Sequence, residues 1–341
     1  VSAAPYGLAV VTRGDHAFGM GNLVRVRNLL RAVRARRPDA RALAAAPGDP
    51  VAVAHLGASG FRVVPLPPEL GARCARLTEA LGEFRPDLVV HDALASDPEV
   101  LRTVRPLTPR LVTVDDAGPA AALADLRIDA LHPCVGAGAD PGVWSRVGDV
   151  WLDEAFRTAR ARYRVRRRPR RVLVSQGGAD TFGQVPRLVR ALGALDTGVE
   201  LVVVVGRAFM HHAELAAAAQ GCRGAVRVLH DVTDMPGLIA TCDLAISGGG
   251  LTLFELCCVG VPTIALTAEP RETTTIARFA DGAAIGLGLW TPDDGDTLRD
   301  LVVDLLRDGD RRRALSAVAR ARVDGRGLSR FLDEVGVRRD G

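Results

Sequence analysis

The sequence predicts an α/β protein of two Rossmann-like, doubly wound domains facing a central cleft. Three observations carry this expectation. Short apolar runs alternate with helical patterns at a regular pitch through the first half of the chain, and the alternation starts again after an arginine-rich segment, Arg157 to Arg171. The apolar content, 48% of 341 residues, is mainly Val, Leu and Ala with only 4% aromatic residues, which suits helices covering buried parallel strands. A chain of this length has material for two cores.

In order, the first strand is "YGLAVVT", and it runs into "RGDHAFGMGN". Gly19 and Gly21 can take positive φ, and Asn22 is placed to cap a helix whose apolar positions are Leu23, Val26, Leu29 and Leu30. An anion or a sugar hydroxyl would suit the N–H groups at that helix start. The other reading is a tight turn in which Asn22 only caps, because the third glycine of the dinucleotide fingerprint is absent. There follow "ARALAAA", "FRVVPLP", a helix through Ala75–Leu81, "PDLVVHDA" and "PRLVTVDDAG". Connection rules then place a ligand crevice at the C-terminal strand ends.

The second half opens in the same way, with "RRVLVSQGGAD" leading to a helix after Pro186. "VELVVVVG", a helix from Ala208, "AVRVLHDV", "CDLAISGGG", a further helix and "VPTIALTA" complete it. The expected domains are residues 1–155 for an acceptor, an arginine-rich linker at 156–170, and 171–341 for a nucleotide-sugar. A cleft between two such halves suits an extended ligand.

Composition excludes several chemistries. No lysine occurs, so all 44 basic residues are arginine, and a P-loop ATPase, a protein kinase or a pyridoxal-phosphate enzyme would lack its lysine. The net charge of +4 is concentrated around Arg157–Arg171. No nucleic-acid motif with interleaved aromatics accompanies it, so a solvated linker is expected, with a membrane-surface or acidic-partner patch as the alternative. Nucleic acid is not an expected partner, and the oligomeric state is not legible. Six cysteines (Cys74, Cys134, Cys222, Cys242, Cys257 and Cys258) form no C-x-x-C pair, and His211-His212 belongs to no H-x-x-x-H pattern. Free buried thiols and no metal site are expected. The apolar runs are too short for a signal peptide or a membrane span, which points to the cytoplasm.

The most informative segment is "DLAISGGGLTLFELCCVGVPTIALTAEP", Asp243 to Pro270. A strand ends at Ser247, three glycines clear the crevice, and a helix begins near Leu251 and stops at Gly260 before Pro262. A diphosphate fits at that helix N-terminus without any lysine, because backbone N–H groups and the helix dipole supply the field. Glu255, about one turn further on, is placed to accept hydrogen bonds from two ribose hydroxyls. The alternative is a surface glutamate.

This run resembles the nucleotide-binding signature of GT-B glycosyltransferases related to the peptidoglycan UDP-N-acetylglucosamine transferase. It is more similar still to the UDP-sugar hydrolase of pseudaminic acid synthesis and its spore-coat polysaccharide relatives. Arg13-x-Asp15, Gly19-x-Gly21 with Arg25 following, Asp115-Asp116 and "VSQGGAD" at Val174–Asp180 fall in the family's order. The resemblance implies two Rossmann-like domains in the GT-B arrangement. It implies a UDP-sugar co-substrate with no other cofactor, and a small-molecule acceptor or water presented by the N-terminal half. Ser247, Gly248, Gly249, Leu251 and Thr252 would then line the diphosphate and Glu255 would hold the ribose. Gly177 and Gly178 would floor the cleft, and Val228 to Val232 would read the uracil edge.

Two departures matter. The family's G-x-G-H here reads Gly19-Met20-Gly21-Asn22, and an amide cannot be a general base. Asp15 and His16 in the same loop are the substitute candidates, with His91 and Asp92 next; His16 could equally be an exposed loop residue. The hydrolases' E-N-Q run is replaced by Glu269-Pro270-Arg271-Glu272. Arg271 would suit the carboxylate of a uronic acid donor, as in cytosylglucuronate synthesis, unless it is only a surface residue. The expected activity is inverting, metal-independent transfer from a UDP-sugar. A UDP-sugar hydrolase or a non-catalytic nucleotide-sugar-binding protein is the alternative.

Overall fold

The computed structural model describes residues 5–13, 21–131, 142–195, 197–267 and 270–338. They form two compact units, one of residues 1–153 with 326–341 and one of 154–325.

In the first unit the order is β1 (Gly7–Thr12), α1 (Gly21–Arg36), β2 (Arg41–Pro47), α2 (Pro50–Ala58), β3 (Arg62–Leu66), α3 (Leu70–Phe84) and β4 (Leu88–Asp92). It continues through α4 (Pro98–Val104), β5 (Leu111–Val114), β6 (Leu126–Ile128) and β7 (Val143–Trp144). The seven strands are parallel in the order β3-β2-β1-β4-β5-β6-β7. Every residue of β1, β4 and β5 is buried, as strands covered on both faces require. Asp49 caps α2 by accepting from Ala52 N at 2.8 Å, and Asp97 caps α4 by accepting from Glu99 N at 2.9 Å; a proline opens each helix. Strand order reverses between β1 and β4, so the C-terminal ends of those two strands border a switch-point crevice.

The second unit opens with α5 (Ala155–Arg162) and continues with β8 (Arg171–Ser175), α6 (Gln184–Gly193), β9 (Glu200–Val205), α7 (His212–Gln220), β10 (Val226–His230) and α8 (Met235–Ile239). Then come β11 (Leu244–Ser247), α9 (Leu251–Val259), β12 (Thr263–Thr267), α10 (Pro270–Ala277), β13 (Ile285–Leu289), α11 (Gly295–Arg307) and α12 (Gly309–Arg322). Its six parallel strands run β10-β9-β8-β11-β12-β13, with the switch between β8 and β11. Both glycine loops singled out in this half, after β8 and after β11, therefore leave the switch point together.

The expected boundaries need two corrections. The presumed linker belongs to the second unit. Arg160 Nη1 donates to the carbonyls of Cys258 (3.0 Å) and Val323 (3.1 Å). Asp243, 1% exposed, accepts from Arg166 Nη1 and from the N–H groups of Arg170 and Arg171. Arg312 is wholly buried and donates to Leu306 O (2.8 Å) and Arg166 O (2.9 Å). The chain end, moreover, returns to the first unit. There α13 (Gly327–Glu334) buries Leu328, Phe331 and Leu332, and Phe331 stacks on Trp151 with centroids 4.3 Å apart.

Candidate functional site

In the first unit α1 begins at Gly21, so Asn22 lies inside its first turn and not at the capping position. Asp15, His16 and Gly19 lie outside the described residues. Arg13 is exposed, and its N–H donates to Asp92 O at 3.3 Å, which ties the start of the loop to β4.

Arg25 lies on α1 and is buried, 3% exposed. Its Nε and Nη2 clasp the Asp92 carboxylate at 3.1 and 2.6 Å, and its Nη1 meets Asp115 Oδ2. Burial opposes its charge, but Asp92 and Asp115 outweigh that and hold the guanidinium protonated. Both oxygens of Asp92 are thereby engaged, which removes it from the candidate bases. Asp115 takes the left-handed conformation (φ 51°), and its other oxygen accepts from Leu131 N at 2.9 Å. The ion triad pins α1 across the ends of β4 and β5.

His91 precedes Asp92 and, by the strand pleat, points to the opposite sheet face. It is 3% exposed, and its Nδ1 is 3.0 Å from Ser96 Oγ. Ser96 in turn donates from its hydroxyl to Asp116 Oδ2 and from its N–H to Asp116 Oδ1 at 2.9 Å. Burial pushes the imidazole down, Asp116 pulls it partly back and Arg13 lowers it, leaving it at about 4. Ser96 was not singled out in the sequence. A serine five residues beyond a strand histidine has no pattern of its own.

In the second unit the "SQGGAD" loop turns through Gly177 (φ 78°), and Gly178 O accepts from Gly206 N at 3.1 Å, which joins it to the loop after β9. Asp180, also left-handed (φ 43°), accepts from Gln184 N and Val185 N, both at 2.8 Å, and so caps α6. Its place in the motif is explained by this cap.

Ser247 is fully buried, and its hydroxyl donates to Gly248 O at 3.1 Å, so it braces the glycine loop and does not line it with an exposed hydroxyl. Gly248 and Gly249 are buried; Leu251 and Thr252 in the first turn of α9 are half-buried. A Cβ on Gly249 would stand 2.9 Å from Glu272 Cβ and 3.0 Å from Glu272 O, and one on Gly248 would stand 2.9 Å from Gln176 Oε1. Glycine is required at 249 because α10 packs directly on its backbone, whereas at 248 an added methyl would meet only the movable end of the Gln176 side chain. Thr267 Oγ1 donates to Glu272 Oε2 at 2.8 Å, fixing that carboxylate beside the glycines. The sequence marked Glu272 only as part of an altered run and passed over Gln176 and Thr267.

Glu255 is 7% exposed in the second turn of α9, so it is no surface glutamate. Arg271 lies in α10, but its side chain is outside the described set. The segment expected to meet uracil ends β10 and turns at Asp231 (φ 49°), where His230 stacks on His212 with centroids 5.7 Å apart. Cys242 and Cys258 are pushed up to about 11 and about 12 by burial, so neither is a ready nucleophile.

Two all-parallel α/β units, each with its own switch point, make the GT-B fold. The solved structure of Acinetobacter baumannii MurG superposes with a TM-score of 0.71 at 15% identity, covering 97% of this chain and 99% of that one. Among curated proteins the chain is similar to the spore coat polysaccharide biosynthesis protein SpsG of Bacillus subtilis. The two are 24% identical over 332 residues, 95% of this chain and 96% of that protein. It is also 32% identical over 167 residues to the UDP-N-acetylglucosamine–N-acetylmuramyl-(pentapeptide) pyrophosphoryl-undecaprenol N-acetylglucosamine transferase of Chromobacterium violaceum. That match spans 48% of this chain and 46% of the transferase. No protein-family model matches the chain. The relatives are of the kind the motifs pointed to. No helix of the described residues is long and apolar enough to cross a membrane.

Proposed function

We propose that the protein is a glycosyltransferase that takes its sugar from a UDP-sugar. The observation that supports this most is the loop from β11 into α9: two buried glycines, the second of them packed against the backbone of α10, opening onto a helix N-terminus in a lysine-free chain. Such an end offers N–H groups and a positive dipole to a diphosphate leaving group as charge builds on it. In this reading the helix does the work a metal would do, and Glu255 holds the ribose. The first unit receives a small-molecule acceptor, whose oxygen attacks the anomeric carbon from the face opposite the diphosphate and inverts the centre. Asp15 or His16 takes the acceptor proton.

The donor sugar has a sharper form. Arg271 paired with a sugar carboxylate would favour a uronic acid, and UDP-glucuronate would then outbind UDP-glucose by about tenfold or more. Arg271→Gln would erase that preference and leave UDP itself bound as before. Equal affinity for the two sugars would remove the uronate and keep the transferase.

The test is a thermal-shift panel of UDP-, dTDP- and GDP-sugars, followed by calorimetry on the best ligand. A UDP-sugar well above its dissociation constant should add about 2–4 kcal/mol of stability, and the others much less. No response to any nucleotide-sugar would overturn the reading. Release of free sugar that no added acceptor accelerates or diverts would favour a hydrolase, and binding without turnover toward any acceptor would favour a binding protein.

A further inference from the structure

We propose that His91 is the proton acceptor of this reaction, its ring held by Ser96 and Asp116 in the tautomer that leaves Nε2 without hydrogen. The proposal rests on the transferase reading above and replaces Asp15 and His16 in it.

The tautomer follows from counting hydrogens. The Asp116 carboxylate accepts from Ser96 N at 2.9 Å, from Gly118 N at 2.8 Å and from the Ser96 hydroxyl. A serine hydroxyl has one hydrogen, and here it is directed at the carboxylate. Ser96 Oγ therefore meets His91 Nδ1, 3.0 Å away, with a lone pair. Nδ1 must carry the ring hydrogen, and Nε2 keeps its lone pair. The arrangement is locked by close packing as well. A Cβ on Gly118 would stand 2.8 Å from Ser96 O and 2.9 Å from Ser96 N, so the two loops cannot separate without breaking the chain of bonds.

Position points the same way. His91 is the penultimate residue of β4, paired in register with Val11 of β1 at the point where strand order reverses. Ligands of open α/β sheets lie outside the strand ends at such a point. The pleat gives the two neighbours separate duties: Asp92 turns to Arg25 and locks α1, while His91 turns to Ser96 and keeps a basic nitrogen.

In the step itself the acceptor hydroxyl gives its proton to Nε2 as its oxygen bonds to the anomeric carbon. The bond from that carbon to the diphosphate breaks, and its electron pair leaves on the phosphate oxygen. The imidazolium so formed keeps its Nδ1–H on Ser96, and the Asp116 charge behind Ser96 stabilises it. Release of the proton to water restores the neutral ring.

The experiment uses the full chain with UDP-N-acetylglucosamine as donor and water as acceptor, reading UDP release and UDP affinity separately. His91→Gln should lower UDP release about 100-fold or more, with UDP affinity unchanged within about twofold. In His91→Ala, added imidazoles should restore release at rates that follow their own basicity, which mere filling of the hole would not do. Among the described residues the charged groups acting on His91 are Asp116 and Arg13, and with burial they leave the ring neutral above about pH 4. Wild-type release should therefore hold steady from pH 8 to about pH 5 and fall below that. Unchanged release in His91→Gln, or an acid limb near pH 6.5 that His16→Ala abolishes, would overturn the proposal. A wild-type chain that binds no UDP would instead sink the transferase reading. Imidazole ¹⁵N shifts then test His91 directly, since an Nε2–H tautomer would overturn the assignment.

Discussion

Arg25 is a charge that the first unit cannot lose cheaply. It is buried between two carboxylates that are each about 1% exposed as side chains, and removing it strands both. Arg25→Met should cost about 3–5 kcal/mol in denaturant unfolding at neutral pH, and adding Asp92→Asn with Asp115→Asn should recover part of that. His91 works in the opposite sense. Its folded pKa is near 4 against 6.5 for the free side chain, so between those values the unfolded chain binds a proton that the folded chain refuses. Stability should fall as pH drops from 6.5 to 4, by roughly 3 kcal/mol at most, and His91→Gln should flatten that part of the curve. In the second unit, Glu255→Ala should weaken UDP binding by about 1.5–3 kcal/mol, the worth of charge-assisted hydrogen bonds. Calorimetry that finds the same affinity would remove Glu255 from the ribose.

At the scale of elements, the β11–α9 loop and α10 act as one piece. Glu272 is fixed by Thr267 and rests on Gly249, so the crevice proposed for the donor depends on α10 seating against bare backbone. Gly249→Ala should push α10 away, lowering UDP-sugar affinity at least tenfold while far-ultraviolet circular dichroism stays unchanged. Gly57→Ala serves as the control, because nothing lies within 4 Å of its added methyl. The other glycine loop is secured differently, by Asp180 across the start of α6 and by the Gly206–Gly178 bond.

At the scale of the molecule, the chain closes its first unit with its last helix. Phe331 and Leu332 fill a surface beside Trp151 that residues 1–153 alone would leave open. Phe331→Ala should cost about 3–5 kcal/mol, registered as loss of the first unit's cooperative unfolding while UDP still protects the second. Unfolding that stays unchanged would show that α13 is dispensable.

The sequence by itself determined the alternation of strands and helices, the two parallel sheets, and the glycine loop ending in a helix at Leu251. These are local: period, capping chemistry and glycine placement are written in neighbouring residues. It also placed His91 and Asp92 at a strand end facing the crevice, and marked Arg25 and the Asp115-Asp116 pair by their order in the resemblance. Their duties were decided by tertiary structure, because a carboxylate's role depends on what lies across the sheet. Asp92 became a lock because α1 carries Arg25 over it. His91 became a candidate base because a serine from the next loop reaches its Nδ1. The domain boundary was decided in the same way: the arginine-rich segment looks solvated in one dimension, but Asp243 and Arg312, distant in sequence, capture its backbone. Contacts of that kind leave no period in the chain, since each partner is set by the fold that brings it there.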